Sequence, residues 1–145
     1  EVEGIRVVLQ DGASHAVDSS DMAFRICMAN AIRETMKLAT PSILEPVMNV
    51  EIDVPADFQG TVVAGINRRM GLINSSDMNE DGSGVKIMSQ VPLANMFGYS
   101  TELRSMTQGK GEFSMEYFNH VPVARNTQEE LMKKYREEKK QEDAA

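Results

Sequence analysis

Few side chains in this chain of 145 residues are of a kind that does chemistry. There is one cysteine, Cys27, and there are two histidines, His15 and His120. A zinc or iron site needs several His or Cys ligands at short, fixed spacings, and neither histidine has such a neighbour. Asp77, Asn79, Asp81 and Gly82 match the opening of a calcium loop. The twelfth position of that loop requires a bidentate glutamate, and Met88 occupies it, so the stretch reads as a polar turn. No G-x-S-x-G, H-E-x-x-H or G-x-x-x-x-G-K-[ST] pattern is present, which leaves no motif for a serine nucleophile, a zinc peptidase or a phosphate loop. Asn74-Ser75-Ser76 fits a glycosylation acceptor, but nothing marks the chain as secreted. What remains are groups suited to binding. His15 stands among small residues in Gly12-Ala13-Ser14-His15. Arg68 and Arg69 precede Gly71. Lys110 lies in the glycine-bearing run Thr107-Gln108-Gly109-Lys110-Gly111.

These residues must be held by secondary structure, and the apolar periodicity indicates which. Residues 2–10 alternate as a strand, and Asp11-Gly12 turns out of it. Asp18 or Ser20 caps a helix that runs to about Leu38, with Phe24, Cys27, Met28, Ala31, Thr35 and Leu38 along one face. Met22 and Ile26 on the other face predict a helix covered on more than one side. Thr40-Pro41-Ser42 ends it. A strand follows with Met48, Val50, Ile52 and Val54 inward and Asn49, Glu51 and Asp53 outward. Residues 56–70 form a helix capped by Gly71, residues 71–78 and 85–92 a hairpin about Asp81-Gly82, and residues 93–109 a second helix. In that helix Leu93, Met96, Phe97, Leu103 and Met106 are expected inside, and Gly98 either admits a close partner or breaks the helix start. Residues 111–119 form the fourth strand, with Phe113, Met115 and Tyr117 on one face. Val54-Pro55 is echoed by Val91-Pro92 and Arg68-Arg69-Met70 by Arg104-Ser105-Met106, a period of about 36–37 residues. The expected class is therefore α+β, a ferredoxin-like split βαβ domain with a four-stranded antiparallel sheet and two helices, preceded by a strand–loop–helix piece. Thr127-Gln128-Glu129-Glu130 reads as a capping box opening a charged terminal helix that Leu131, Met132 and Tyr135 dock and whose last residues fray.

Composition narrows the function. The net charge of −7 opposes non-specific binding to nucleic acid, so any RNA contact must be local. No apolar run approaches the roughly 20 residues of a membrane span. The opening "EVEGIRVV" has neither a starting Met nor a signal-like segment, and the expectation is a chain that begins inside a larger protein.

Several strings are more specific than any of these patterns. "DGASHAVDSSDMAF", "ILEPVMNVEIDVP", "GINRRMG" and "VPLANMFGYSTELRSMTQGKGEFSMEY" resemble the C-terminal part of translation elongation factor G over residues 1 to about 135. "AGINRRMG" and "QGKGEFSMEY" resemble the mitochondrial form more than the bacterial one. The resemblance implies that residues 1–43 are the end of domain IV, which is S5-like, that 44–124 are the ferredoxin-like domain V, and that 125–145 are a charged tail. It implies a ribosome-binding part of a GTPase that drives tRNA–mRNA translocation, with GTP and Mg in the full-length protein and no cofactor or metal in this part. It implies a tip loop, Gly12, Ala13, Ser14 and His15, that meets the tRNA–mRNA duplex in the A site of the decoding centre. Ala13 departs from the aromatic of bacterial relatives, which puts stacking there in doubt. On the large-subunit side it implies contact with rRNA, the L11 stalk base and the sarcin–ricin loop, for which Arg68, Arg69, Phe97, Tyr99, Arg104, Ser105 and Lys110 are the candidates. A monomeric fragment in the mitochondrial matrix, or alternatively in a bacterial cytoplasm, completes the expectation.

Other readings share the fold. A recycling or ribosomal-protection relative would carry similar strings. A stand-alone RNA- or protein-binding module would need exposed aromatics on its sheet, where Asn49, Glu51 and Asp53 stand instead. An acylphosphatase-like enzyme would need a cationic anion loop, and Pro55-Ala56-Asp57 is acidic there.

Overall fold

The computed structural model describes residues 1–143 and divides into two compact units, Glu1–Pro41 and Ser42–Ala145. The expectation that the last residues fray falls partly on Ala144 and Ala145, outside the described residues.

In the first unit the only regular element among the described residues is α1 (Asp21–Leu38). Ser20 caps it: its Oγ accepts from the amide of Ala23 at 3.1 Å, and Asp21 and Lys37 complement the two ends of the helix dipole. The strand expected over residues 2–10 does not form; those residues join no ladder. A strand is stable only when its amides and carbonyls are paired across to a neighbour, and among the described residues none pairs here. Val2, Ile5, Val7, Val8 and Leu9 are each more than half exposed, and α1 buries no residue, against the expectation of a helix covered on more than one side.

The second unit holds the expected sheet. β1 (Leu44–Pro55), β2 (Leu72–Met78), β3 (Gly84–Pro92) and β4 (Glu112–Pro122) lie in the order β2-β3-β1-β4, all pairs antiparallel. α2 (Gln59–Arg68) and α3 (Tyr99–Met106) connect them, which is the split βαβ topology. β1 and β3 each end in a proline followed by a 3-10 turn, Ala56–Phe58 and Leu93–Asn95, so both helices start later than the periodicity suggests. Ile52 sits opposite both Ile87 and Phe113, and with Val50, Val54, Val85 and Val91 it forms the inner face of the sheet. Val62 and Ile66 from α2, and Met96, Tyr99 and Leu103, close over it. Each such side chain contributes roughly 1.5–3 kcal/mol by leaving water. Phe97, expected inside, is 79% exposed, and Tyr99 fills the core position instead. The reason is Gly98: at φ 74° it is the N-cap of α3 and resets the helical phase between the two aromatics. A Cβ there would meet nothing within 4 Å, so no neighbour in this chain requires the glycine; its left-handed φ at the helix start does.

The termini of α2 and α3 repeat one device. Gly71 N–H donates to Ile66 O at 3.0 Å and Gly109 N–H to Arg104 O at 2.8 Å, the six-to-one bond of a Schellman cap. In the first cap the left-handed residue is not the expected Gly71 but Met70 at φ 60°. In the second a non-glycine residue, Gln108 at φ 54°, precedes the left-handed Gly109 (φ 79°) in that conformation. Gly71 is needed for another reason: a Cβ would lie 2.5 Å from Ile66 Cγ2 and 2.8 Å from Val91 Cγ2. The calcium-like segment is a hairpin turn in which Asp81 Oδ1 accepts from Ser83 N at 3.0 Å and Ser83 Oγ at 2.8 Å, and those bonds hold the carboxyl below its ordinary range.

α4 (Arg125–Asp143) begins two residues before the expected cap at Thr127. Tertiary bonds set its start: Val123 N–H donates to Ile43 O at 2.9 Å, and Gln128 Oε1 accepts from Ile43 N–H at 3.0 Å. Leu131, Met132 and Tyr135 stay more than a third exposed and do not dock it.

The left-handed side chains make a direct prediction. A non-glycine residue costs about 1 kcal/mol or more in that conformation, and Met70 and Gln108 are both exposed. Met70→Gly and Gln108→Gly should each stabilise the protein by roughly 0.5–1 kcal/mol in urea unfolding. A loss of stability in both would show that the side chains contribute more than the strain they impose.

Candidate nucleic-acid interface

The loop before α1 is built around His15. Its amide donates to Ser19 Oγ at 2.6 Å, and its carbonyl accepts from Ser19 N–H at 3.2 Å. The amides of Val17 and Asp18 both point at its Nδ1, at 3.2 and 3.3 Å. A ring nitrogen that accepts carries no hydrogen, so the tautomer making these bonds bears it on Nε2. The ring is 67% exposed, and Asp18 Oδ2 lies 3.4 Å from Nδ1. One edge of the imidazole thus organises the turn, and the other edge is a single donor available to a partner. The small side chains of Gly12, Ala13 and Ser14 keep the loop thin, and all three residues are exposed.

The candidates in the second unit fall into two groups. Tyr99 is fully buried, its ring edge-to-face with Phe113 at 5.1 Å, and burial, reinforced by the nearby charge of Glu102, pushes its phenol up to about 12. It is a core residue, which corrects its candidacy for RNA contact. Arg69 is also removed from direct contact: its side chain is only 18% exposed and makes four hydrogen bonds. Nε donates to Glu102 Oε2 at 3.0 Å and Nη2 to the same oxygen. Nη1 donates to the carbonyls of Asn95 and, at 3.2 Å, Phe97. Asn95 Nδ2 returns a bond to Arg69 O at 2.9 Å, and the guanidinium stands 5.1 Å over the ring of Tyr99. Arg68 Nη2 reaches Glu102 Oε1 at 3.3 Å but stays two-thirds exposed. These hydrogen bonds, led by those from Arg69, hold the Glu102 carboxyl below its ordinary value. Glu102 and Asn95 were not legible as site residues, because nothing in linear spacing joins Arg69 to a carboxylate 33 residues away.

Arg68, Phe97, Arg104, Ser105 and Lys110 are exposed. Lys110 follows the second Schellman cap, in a loop fixed by Thr107. The buried Thr107 Oγ1 donates to Leu103 O at 2.6 Å and accepts from Gly111 N–H at 2.9 Å. The outer face of the sheet is unsuited to RNA. Strand register sets Asp77, Lys86, Asp53 and Glu112 in one row across the four strands, with Glu51 and Glu116 in the next two. Lys86 is the single cation in these rows. A hydrogen bond to Glu51, with the charges of Asp53 and Glu51, raises its pKa. Phosphate would meet carboxylates there.

Residues 42–131 match the family model described as elongation factor G C-terminus, and residues 1–40 match elongation factor G, domain IV. The chain is 55% identical over 134 residues to the mitochondrial elongation factor G-1 of Arabidopsis thaliana, covering 92% of this chain and 18% of that protein. A crystal structure of a protein from Thermus thermophilus superposes with a TM-score of 0.77 at 28% identity, over 86% of this chain and 18% of that one. The chain thus spans about a fifth of the length of the relatives it matches.

The Glu102 site carries its own pH dependence. Its pKa is depressed on folding, so the stabilisation is present above the unfolded value, near 4.5, and is lost as pH falls through the lower folded value. Glu102→Gln should therefore be less stable than the parent in urea unfolding at pH 7, and the gap should narrow as the pH is lowered from 7 to below 4.5. A gap of constant size across that range would mean the carboxylate charge is not what stabilises the site.

Proposed function

Because this chain belongs to the elongation factor G family, we propose that it is the ribosome-binding C-terminal part of a translational GTPase that moves tRNA and mRNA through the ribosome. The observation that carries this reading is the presence, in one chain, of matches to both the domain IV model and the C-terminal model of that family. The mitochondrial relative at 55% identity supports a mitochondrial matrix location. GTP and its Mg are assigned to parts of the longer protein. This chain has no phosphate loop, and among the described residues no group of His, Cys, Asp and Glu is suited to a metal.

In this reading the loop Gly12–His15 enters the decoding centre of the small subunit and meets the tRNA–mRNA duplex by shape. Its thinness admits it, and His15 Nε2 donates to one backbone or sugar oxygen. Nδ1 is occupied by the amides of Val17 and Asp18, so His15 offers one directed bond and not two. The second unit anchors on large-subunit rRNA at the stalk base and sarcin–ricin loop through Arg68, Arg104, Ser105, Lys110 and Phe97. The acidic sheet face turns away from RNA. A chain of net charge −7 can hold an RNA partner only by such short-range contacts.

Two measurements test it in the full-length protein. His15→Ala should slow translocation at least several-fold in rapid kinetics while ribosome-stimulated GTP hydrolysis stays near the parent rate; equal loss of both would sink the tip-loop assignment. Arg104→Ala and Lys110→Ala should each weaken ribosome binding and reduce the slope of log affinity against log salt by about one. An unchanged slope in both variants would remove these residues from the phosphate contacts.

A further inference from the structure

Phe97 is a large apolar side chain held out in water, while its near neighbour Tyr99 is fully buried. Left to itself a loop phenylalanine gains by folding back onto apolar surface, since burying it is worth roughly 1.5–3 kcal/mol. Two features prevent this. Arg69 Nη1 holds the carbonyls of Asn95 and Phe97, which fixes the peptide planes on both sides of Met96 and Phe97. Gly98, at φ 74°, then reverses the chain into α3. Arg69 is in turn locked by Glu102, which receives both its Nε and Nη2. Two guanidiniums, Arg68 and Arg69, share that single carboxylate, so the base of Phe97 carries local positive charge in a protein of net charge −7.

We propose that Arg69 and Glu102 are positioning residues that hold Phe97 preformed for stacking on an unpaired base of ribosomal RNA. An aromatic face with adjacent cations suits a splayed nucleotide, whose base stacks while its phosphate is neutralised. Preorganisation lowers the ordering cost paid on binding. This inference rests on the ribosome-binding reading above and adds to it a role for two residues that do not themselves touch RNA.

The test is a double-mutant cycle on ribosome affinity in the full-length protein, with thermal melting of each variant as the control for folding. Phe97→Ala should weaken binding about tenfold, the range of base–aromatic stacking, and Phe97→Trp should retain it. Glu102→Gln and Arg69→Lys should each weaken binding several-fold while the fold still melts cooperatively. In the Phe97→Ala background, Glu102→Gln should cost nothing further, because residues acting through one another are not additive. Additive losses, or unchanged affinity in both Glu102→Gln and Arg69→Lys, overturn the positioning role and leave the Phe97 contact standing. Unchanged affinity in Phe97→Ala overturns the contact itself. Full affinity in Phe97→Leu replaces base stacking by an apolar protein pocket and overturns the RNA assignment.

Discussion

The guanidinium of Arg69 joins the end of one helix to the beginning of the other. A charge this far out of water is tolerable only when paired, and Arg69 meets that condition with one carboxylate and two backbone carbonyls. The bonds tie α2 to the segment Asn95–Gly98 and, through Glu102, to α3, so the two halves of the pseudo-repeat are linked by more than apolar contact. Asn95 closes the arrangement from the opposite side by binding the carbonyl of Arg69. Tyr99 lies beneath the cation with its ring in the core. What the surface presents at this end of the domain follows from that single polar junction.

The sheet imposes a second division. Its inner face is apolar and closed by the two helices, while its outer face carries carboxylates from β1, β2 and β4 in register about the lone cation Lys86 of β3. A nucleic-acid partner is therefore confined to the helix ends and their loops, where Arg68, Arg104 and Lys110 stand. Many ferredoxin-like RNA readers stack bases on the open sheet; this domain has the same topology with charges that forbid it. Anchoring at loops fits a partner recognised by shape and phosphate position.

The first unit follows a different logic. Its helix is well capped, yet it buries nothing, and residues 2–10 form no ladder. Local order is concentrated in the turn from His15 to Ser20, where one histidine nitrogen, one serine hydroxyl and three amides satisfy one another. Those bonds are all local in sequence, so the turn is organised by its own residues.

Strand periodicity, the repeated Val-Pro break and the small-residue loop were all legible in the sequence, because alternation and turn chemistry are local. They sufficed for the split βαβ order and the inner face Val50, Ile52 and Val54, and narrowed the helix cap to Asp18 or Ser20, of which the structure uses Ser20. The strand expected at residues 2–10 was not decided locally, because a strand exists only with a neighbour to pair with. Nor could helical spacing separate Phe97 from Tyr99, since one left-handed glycine between them shifts the phase by enough to exchange inside for outside. Arg69 and Lys110 looked alike as cations near glycines. Only the approach of α3 to α2 brought Glu102 and two carbonyls to Arg69 and made it internal, while Lys110 stayed in solvent. Composition and local pattern determined which elements form and which family the strings resemble; the pairing of groups far apart in the chain decided which of the candidate side chains remain free to meet a partner.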